Sequence, residues 1–340
     1  MKALVNAKSA LALVKGSALA VPNQGILIDT LALQEAQASS AIENIVTTQD
    51  DIYRRDTQLD FISGAAKEVT LYRDALRLGY EHMRSTQGLI TNGNIVEMFR
   101  LLKQRTDGFR TQAGTALLND QTSDVIYVPP QEAEQISQLM AQLERFINDS
   151  DDCQLGPLIK MALIHHQFES IHPFPDGNGR IGRILNVLYL TKVGLLDIPI
   201  LYLSRYINQK KSTYYHLLQA VRDEGAWQQW VIFMLNGVTD TSLVTLNLLS
   251  GIRDQMATYK KAMKTDHRKI YSQDLLNNLF RHPYTRIEYV MRDLSVSRPT
   301  ASKYLEQLTA SGLLHKIESG RDNYYVNAPL VELFDRASKD

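Results

Sequence analysis

Apolar positions recur at helical spacing over most of the chain. From Ile28 to about Val46, "IDTLALQEAQASSAIENIV" follows a "VPNQG" breaker and carries apolar or small residues at that spacing. "NGNIVEMFRLLK" (92–103) reads as a loop followed by an amphipathic helix, and further helices are predicted over 131–147 and 157–170, the latter with Pro157 in its first turn. "GRIGRILNVLYLTKVG" opens the next helix, which Gly194 closes, and helical patterns return at 209–222 and 226–249. One stretch breaks the period. "GFRTQAGTALLNDQTSDVIYVPP" (108–130) is rich in threonine, holds a turn signal at Asn119-Asp120 and ends in Val125-Ile126-Tyr127-Val128 before two prolines. It predicts a β-hairpin flap standing apart from the helices.

The polar stretch "YKKAMKTDHRK" (259–269) marks a boundary. Beyond it the pattern runs helix, helix, short turn, helix, then two short strands around "ESGRDN", the order of a winged helix-turn-helix. The expected fold is mainly α, divided into a helical region over 1–90, a core over 91–255 and a winged helix over 265–335. The first twenty residues loosely imitate a signal peptide, but Lys8 and Lys15 interrupt the apolar part, so an amphipathic start is expected. No segment approaches the roughly 18 consecutive apolar residues of a membrane helix.

Composition narrows the partners. With 37 Lys+Arg against 37 Asp+Glu in 340 residues, no global field favours nucleic acid or membrane. A single cysteine, Cys153, excludes an internal disulfide and suits a cytoplasmic protein.

The chemistry concentrates in "ESIHPFPDGNGRIGRILN" (169–186). Gly177-Asn178-Gly179-Arg180-Ile181-Gly182 spells the dinucleotide fingerprint, with an acid downstream at Asp197. That fingerprint must follow a buried strand in a βαβ unit, whereas the preceding segment reads as a helix and the chain offers no succession of parallel strands. A phosphate site remains. Gly177 and Gly179 let backbone N–H groups approach an anion at a helix start, and Arg180 and Arg183, three residues apart, project from one face of the first turn. Asp176 could hold a magnesium ion bridging phosphate oxygens, and His172 could take a proton from a hydroxyl. Singly, each has a plainer reading as a loop or surface residue; together they describe transfer of a phosphate-containing group onto a hydroxyl. His165 and His166 lack any metal-site spacing and are expected to pack or to line the edge of the site.

"HPFPDGNGRIGR" resembles the Fic family signature H-x-F-x-[D/E]-G-N-G-R-x-x-R at every specified position, and the resemblance extends over about 30–250. It implies a Fic-type helical core with the hairpin as flap, and transfer of AMP from Mg-ATP to a Ser, Thr or Tyr hydroxyl of a protein. By resemblance, His172 is the general base, Phe174 the loop anchor and Asp176 the Mg²⁺ ligand. Gly177, Asn178 and Gly179 form the anion cradle, Arg180 holds the β-phosphate and Arg183 the γ-phosphate, with Ile181 and Gly182 in the same ATP-binding turn. Tyr215 resembles an aromatic lining the adenine pocket. Ser39-Ser40-Ala41-Ile42-Glu43-Asn44 fits the inhibitory pattern [S/T]-x-x-x-E-[G/N], which implies that Glu43 pairs with Arg183 and displaces ATP. The plainer alternative is a capping box, Ser40 to Glu43, at a helix start. The resemblance also implies a target protein bound along the 108–130 flap, and the expected assembly is a homodimer. Two other functions stay open: AMP removal with Glu43 as catalytic carboxylate, and a nucleotide-sensing DNA-binding regulator. For the latter, Arg298, Thr300 and Lys303 on the recognition helix and Arg321 in the wing are the candidate contacts, although 269–328 carries only eight Lys/Arg against six Asp/Glu.

Overall fold

The structure, a computed structural model, describes residues 1–48, 64–118, 124–149, 155–319 and 322–339. Helix α1 (Lys2–Ala18) buries Ala7, Ala10, Leu11, Val14 and Ala18, one stripe at three- and four-residue spacing. Lys15, off that stripe, reaches Asp197 at 3.0 Å, so the acid of the apparent dinucleotide fingerprint is an anchor for α1.

Asn23 starts α2 (Gln24–Ile42) by accepting the Gly25 N–H at 2.9 Å. This helix is buried on nearly all sides, Ile26, Leu27, Leu31, Ala36, Ser39 and Ile42 among its buried residues. Its end explains the sequence that follows. Asn44 takes φ +61 and the Ile45 N–H reaches back to Ser40 O at 3.0 Å, a Schellman stop that favours Gly or Asn after Glu43. Ser40 and Glu43 therefore close a helix, which excludes the capping-box alternative.

α3 (Gly64–Ser85) and α4 (Asn92–Lys103) pack together, α4 beginning at Asn92 itself because the Thr91 hydroxyl accepts the Asn94 N–H. The flap pairs β1 (Leu117–Leu118) with β2 (Val125–Tyr127) antiparallel, Leu117 opposite Tyr127 and Leu118 opposite Val125. Its predicted turn at Asn119-Asp120, like Cys153, lies outside the described residues. α5 (Ala133–Asn148) then leads to α6 (Pro157–Ile171) and α7 (Asn178–Lys192), two largely buried helices that face each other. The predicted helix over 209–222 is preceded by a separate one: α8 (Leu203–Gln209) is followed by α9 (Lys211–Glu224).

α10 (Trp227–Asp266) departs most from expectation. Its 40 residues extend into the polar stretch 259–269 as far as Asp266, because Ile252, Met256, Tyr259 and Met263 continue the buried stripe beneath the charged positions. Among the described residues it is the one helix with an 18-residue window apolar enough to cross a membrane, and half of that window is buried inside the protein.

The C-terminal unit comprises α11 (Gln273–Arg281), β3 (Tyr284–Thr285), α12 (Ile287–Leu294), α13 (Arg298–Ala310), β4 (His315–Ser319), β5 (Asp322–Val326) and α14 (Ala328–Lys339). Its antiparallel sheet has the order β3-β5-β4. The unit is joined to the rest by packing as well as by α10: Arg281 Nε lies 2.6 Å from Asp29 Oδ2 on α2. One hydrophobic cluster runs from Ala7 in α1 to Phe334 in α14.

Candidate active site

The loop 172–177 is held between α6 and α7 by its own side chains. Phe174 is fully buried and stacks on Phe99 at 4.1 Å, a burial worth roughly 2–3 kcal/mol. The Asn178 side chain closes the loop from below, accepting the Phe174 N–H at 2.8 Å and donating to Phe174 O at 2.7 Å. Arg110, at the base of the flap, donates from Nε to His172 O at 2.8 Å and from Nη2 to Pro130 O, while its backbone N–H reaches Pro173 O at 2.8 Å. Across the flap, Tyr127 OH donates to Ser170 O at 2.9 Å, beneath the Arg222 guanidinium at 3.8 Å from its ring. Flap and loop thus share one frame.

His172 caps α6 in the left-handed region, φ +50. Burial pushes its pKa down to about 4, with Arg110 and Arg222 adding to the effect and the Glu169 carbonyl opposing it, although Nδ1 makes no well-formed hydrogen bond. The ring is therefore neutral at pH 7 and able to accept a proton.

Gly177 enters α7 at φ +77, a conformation costly for any residue with a Cβ. Gly179 is required for space: a Cβ there would stand 2.8 Å from Arg183 Nη1 and 3.2 Å from Glu43 Oε1. Arg180 and Arg183 are both buried and both meet Glu43. Arg183 Nη2 donates to Glu43 Oε1 at 3.0 Å and to Ser39 O at 3.0 Å, and Nε donates to Ser39 Oγ at 2.8 Å. Arg180 Nε lies 2.6 Å from Glu43 Oε2, an ion pair without the alignment of a hydrogen bond. Burial alone would lower the Arg183 pKa, but Glu43 and its neighbours more than offset this and hold the guanidinium firmly charged.

Two further charges complete the site. Glu68 on α3 accepts from Arg180 Nη1, and Lys103 at the end of α4 lies 2.6 Å from Asp176 Oδ2. Burial would raise the Asp176 carboxyl, but the Lys103 hydrogen bond and the charges of Lys103 and Arg180, with the Gly177 N–H at 2.6 Å, hold it below the ordinary range. Neither Glu68, Lys103 nor Arg110 belongs to a local motif; their partners are distant in the chain. Glu169, three residues before His172, is also buried, its pKa pushed up to about 7, with Oε1 unpartnered.

Other predicted residues have different surroundings. The Asn178 side chain is spent on the loop, and the Ile181 side chain is in the core with its N–H bonded to Gly177 O at 3.1 Å. Gly182 packs against Glu169, Phe168 and His165. Tyr215 is 46% exposed, edge-on to Tyr214 at 5.1 Å. His165 and His166 pack in the core, as Tyr214 OH against His165 Nε2 at 2.8 Å and the depressed pKa values of about 3 and about 4, due to burial, indicate. In the C-terminal unit, Arg298 pairs with Glu288 at 2.8 Å, Thr300 Oγ1 bonds Ser297 Oγ at 2.9 Å and Lys303 is exposed, while Arg321 lies outside the described residues.

Among the described residues no group of three or more His, Cys, Asp and Glu could hold a metal by itself. One carboxylate completed by substrate phosphates is nevertheless how Mg²⁺ is usually bound, and Asp176 already carries a cationic group on Oδ2, so the donor set fits such an ion.

Residues 1–81 match the Fic/DOC family N-terminal region, 90–190 the Fic/DOC family, and 255–330 the C-terminal domain of SoFic-like protein adenylyltransferases. The chain is 33% identical over 122 residues to the protein adenylyltransferase Fic of Drosophila melanogaster and 30% over 159 to that of Drosophila erecta. These stretches cover 36% and 47% of this chain but only 22% and 29% of those relatives' length. A Fic family protein of Desulfovibrio desulfuricans has the same fold over 96% of both chains, with TM-score 0.57 and 21% identity. A Fic domain-containing signaling protein from Bacteroides thetaiotaomicron matches 72% of this chain and 97% of its own, with TM-score 0.60 and 19% identity.

Proposed function

The chain belongs to the Fic family, and from that premise we propose that it is an autoinhibited protein adenylyltransferase, moving AMP from ATP to a hydroxyl of a protein. The observation that carries the reading is Glu43 bridging Arg180 and Arg183, because a carboxylate on those guanidiniums competes with a polyphosphate for the same donors. In the released site, Arg180 and Arg183 bind the outer phosphates and draw charge toward the leaving group. His172, neutral and held rigidly by Phe168 O and Arg110, takes the proton of the attacking hydroxyl. The new bond joins that oxygen to the α-phosphorus, the α–β bridge breaks, and pyrophosphate leaves. Asp176 would hold Mg²⁺, which when bound supplies charge neutralisation at the phosphate oxygens. The exposed apolar flap residues Leu118, Val125, Ile126 and Val128 suit a target segment added along the hairpin edge.

The test is label transfer from α-labelled ATP with Mg²⁺ to the protein itself or to lysate proteins. Glu43→Gly is expected to label at least about tenfold more than wild type, the equivalent of one lost competing contact. Adding His172→Ala is expected to reduce that by about a hundredfold. No transfer by any of the three proteins would sink the reading.

A further inference from the structure

Six charged groups alternate in sign across the site: Arg183, Glu43, Arg180, Glu68, Lys103 and Asp176. Glu43 joins the first three at 3.0 and 2.6 Å, Glu68 pairs with Arg180, and Lys103 lies 2.6 Å from Asp176 and 3.8 Å from Glu68. Three charges of each sign cancel. Lys103 is no roaming surface lysine, since its side chain is 15% exposed and its Cδ would stand 3.3 Å from a Cβ placed on Gly177. Its ammonium sits on the one carboxylate the proposed reaction needs for a divalent cation. Glu68, likewise, sits on the arginine needed for phosphate.

We propose that Lys103 and Glu68 are an exchange pair: in the empty site Lys103 holds the cation position at Asp176 and Glu68 holds Arg180, and they turn to each other when cation and nucleotide take those partners. The inference rests on the roles assigned above to Asp176 and Arg180. The exchange needs little movement, because the two displaced groups already lie 3.8 Å apart and Lys103 has a flexible four-carbon stem. Each displaced charge then finds the other, so neither is left buried without a counter-ion. Glu43 blocks the phosphate donors; Lys103 blocks the cation, and does so from the last residue of α4. Removing Glu43 would leave this second contact intact.

The experiment uses the full chain without ATP. Free Mn²⁺ is measured by electron paramagnetic resonance during titration, and metal-free ADP binding by calorimetry. Lys103→Met leaves the site one unit more negative and is expected to bind Mn²⁺ about tenfold or more tightly than wild type, a difference of one lost competing contact. Lys103→Arg, which keeps the charge, should stay near wild type, and adding Asp176→Asn to Lys103→Met should abolish the gain. Glu68→Gln should bind ADP more tightly and Mn²⁺ no more tightly. Unchanged or weaker Mn²⁺ binding by Lys103→Met, or a gain that survives Asp176→Asn, overturns the proposal; circular dichroism identifies a variant that has not folded, and the Glu68→Gln arm then decides alone. These readouts do not depend on group transfer. A protein that shows the Mn²⁺ gain but never labels would lose the adenylyltransferase reading and keep the exchange pair.

Discussion

Arg180 and Arg183 each meet a carboxylate before any phosphate can reach them, and both are almost wholly removed from water. Two buried guanidiniums without counter-ions would be expensive, so Glu43 is also what makes an empty site tolerable. His172 is subject to the opposite logic. Burial holds its pKa at about 4, below the ordinary 6.5, so the basic form persists through mildly acidic pH and is lost only as pH falls toward 4. Transfer by Glu43→Gly is therefore expected to keep its acidic limb between pH 4 and 5, read from the initial rate of labelling with circular dichroism reporting that the fold is intact. A limb near 6.5 would mean that the ring is solvated in the working enzyme. Residues 172–183 were legible in sequence because they are contiguous and each spacing has a mechanical reason. Glu68 and Lys103 were not, since an acid on α3 and a lysine ending α4 look like any solvated pair until the fold brings them to Asp176 and Arg180.

α2 bears Glu43 at its end, and what fixes that helix fixes the carboxylate that meets Arg180 and Arg183. Glu35, two turns before Glu43, is fully buried; it accepts from Tyr72 OH at 3.0 Å, from the Ser204 N–H at 3.2 Å and from the Ser204 hydroxyl. Burial raises its pKa from 4.5 to about 7, against the pull of those hydrogen bonds and of Arg183. The folded state thus keeps its proton where the unfolded chain has lost it, so the stabilisation is complete below pH 4.5 and is lost as pH rises through 7. The loss amounts to on the order of 3 kcal/mol. Glu35→Gln cannot ionise, so its unfolding free energy from urea titration should gain on wild type between pH 5 and pH 8 by about that amount; parallel pH curves for the two proteins would contradict the assignment. The period of apolar residues disclosed α1, α4, α5, α6 and α7, each with an amphipathic face or a clear cap. It stopped α10 too early because periodicity was sought in apolar residues alone, while one narrow buried stripe suffices once a C-terminal unit packs on it.

The whole molecule carries no net charge, and its C-terminal unit does little to concentrate what positive charge it has. Arg298 is exposed but paired with Glu288, and Lys303 is the second exposed cation on α13 among the described candidates. Fluorescence anisotropy with duplex DNA is expected to give weak binding whose log K falls with log salt at a slope no steeper than about −2, the signature of one or two phosphate contacts. A slope near about −6 with tight binding at physiological salt would instead make the unit a DNA reader. What this unit does touch is α2, the helix that ends at Glu43, through Arg281 and Asp29. It is also threaded on α10, which begins among the core helices and ends inside the unit, where Tyr259 OH lies 2.7 Å from Leu313 O. A shared helix sets an angle as well as a distance. Inserting one residue into it would rotate everything downstream by about 100° and advance it by about 1.5 Å, which no loop would absorb. The C-terminal unit is therefore not a bead that recombination can restring at will; a lineage that exchanges it must inherit the phase of the helix too, and length changes there are admissible only in near-whole turns.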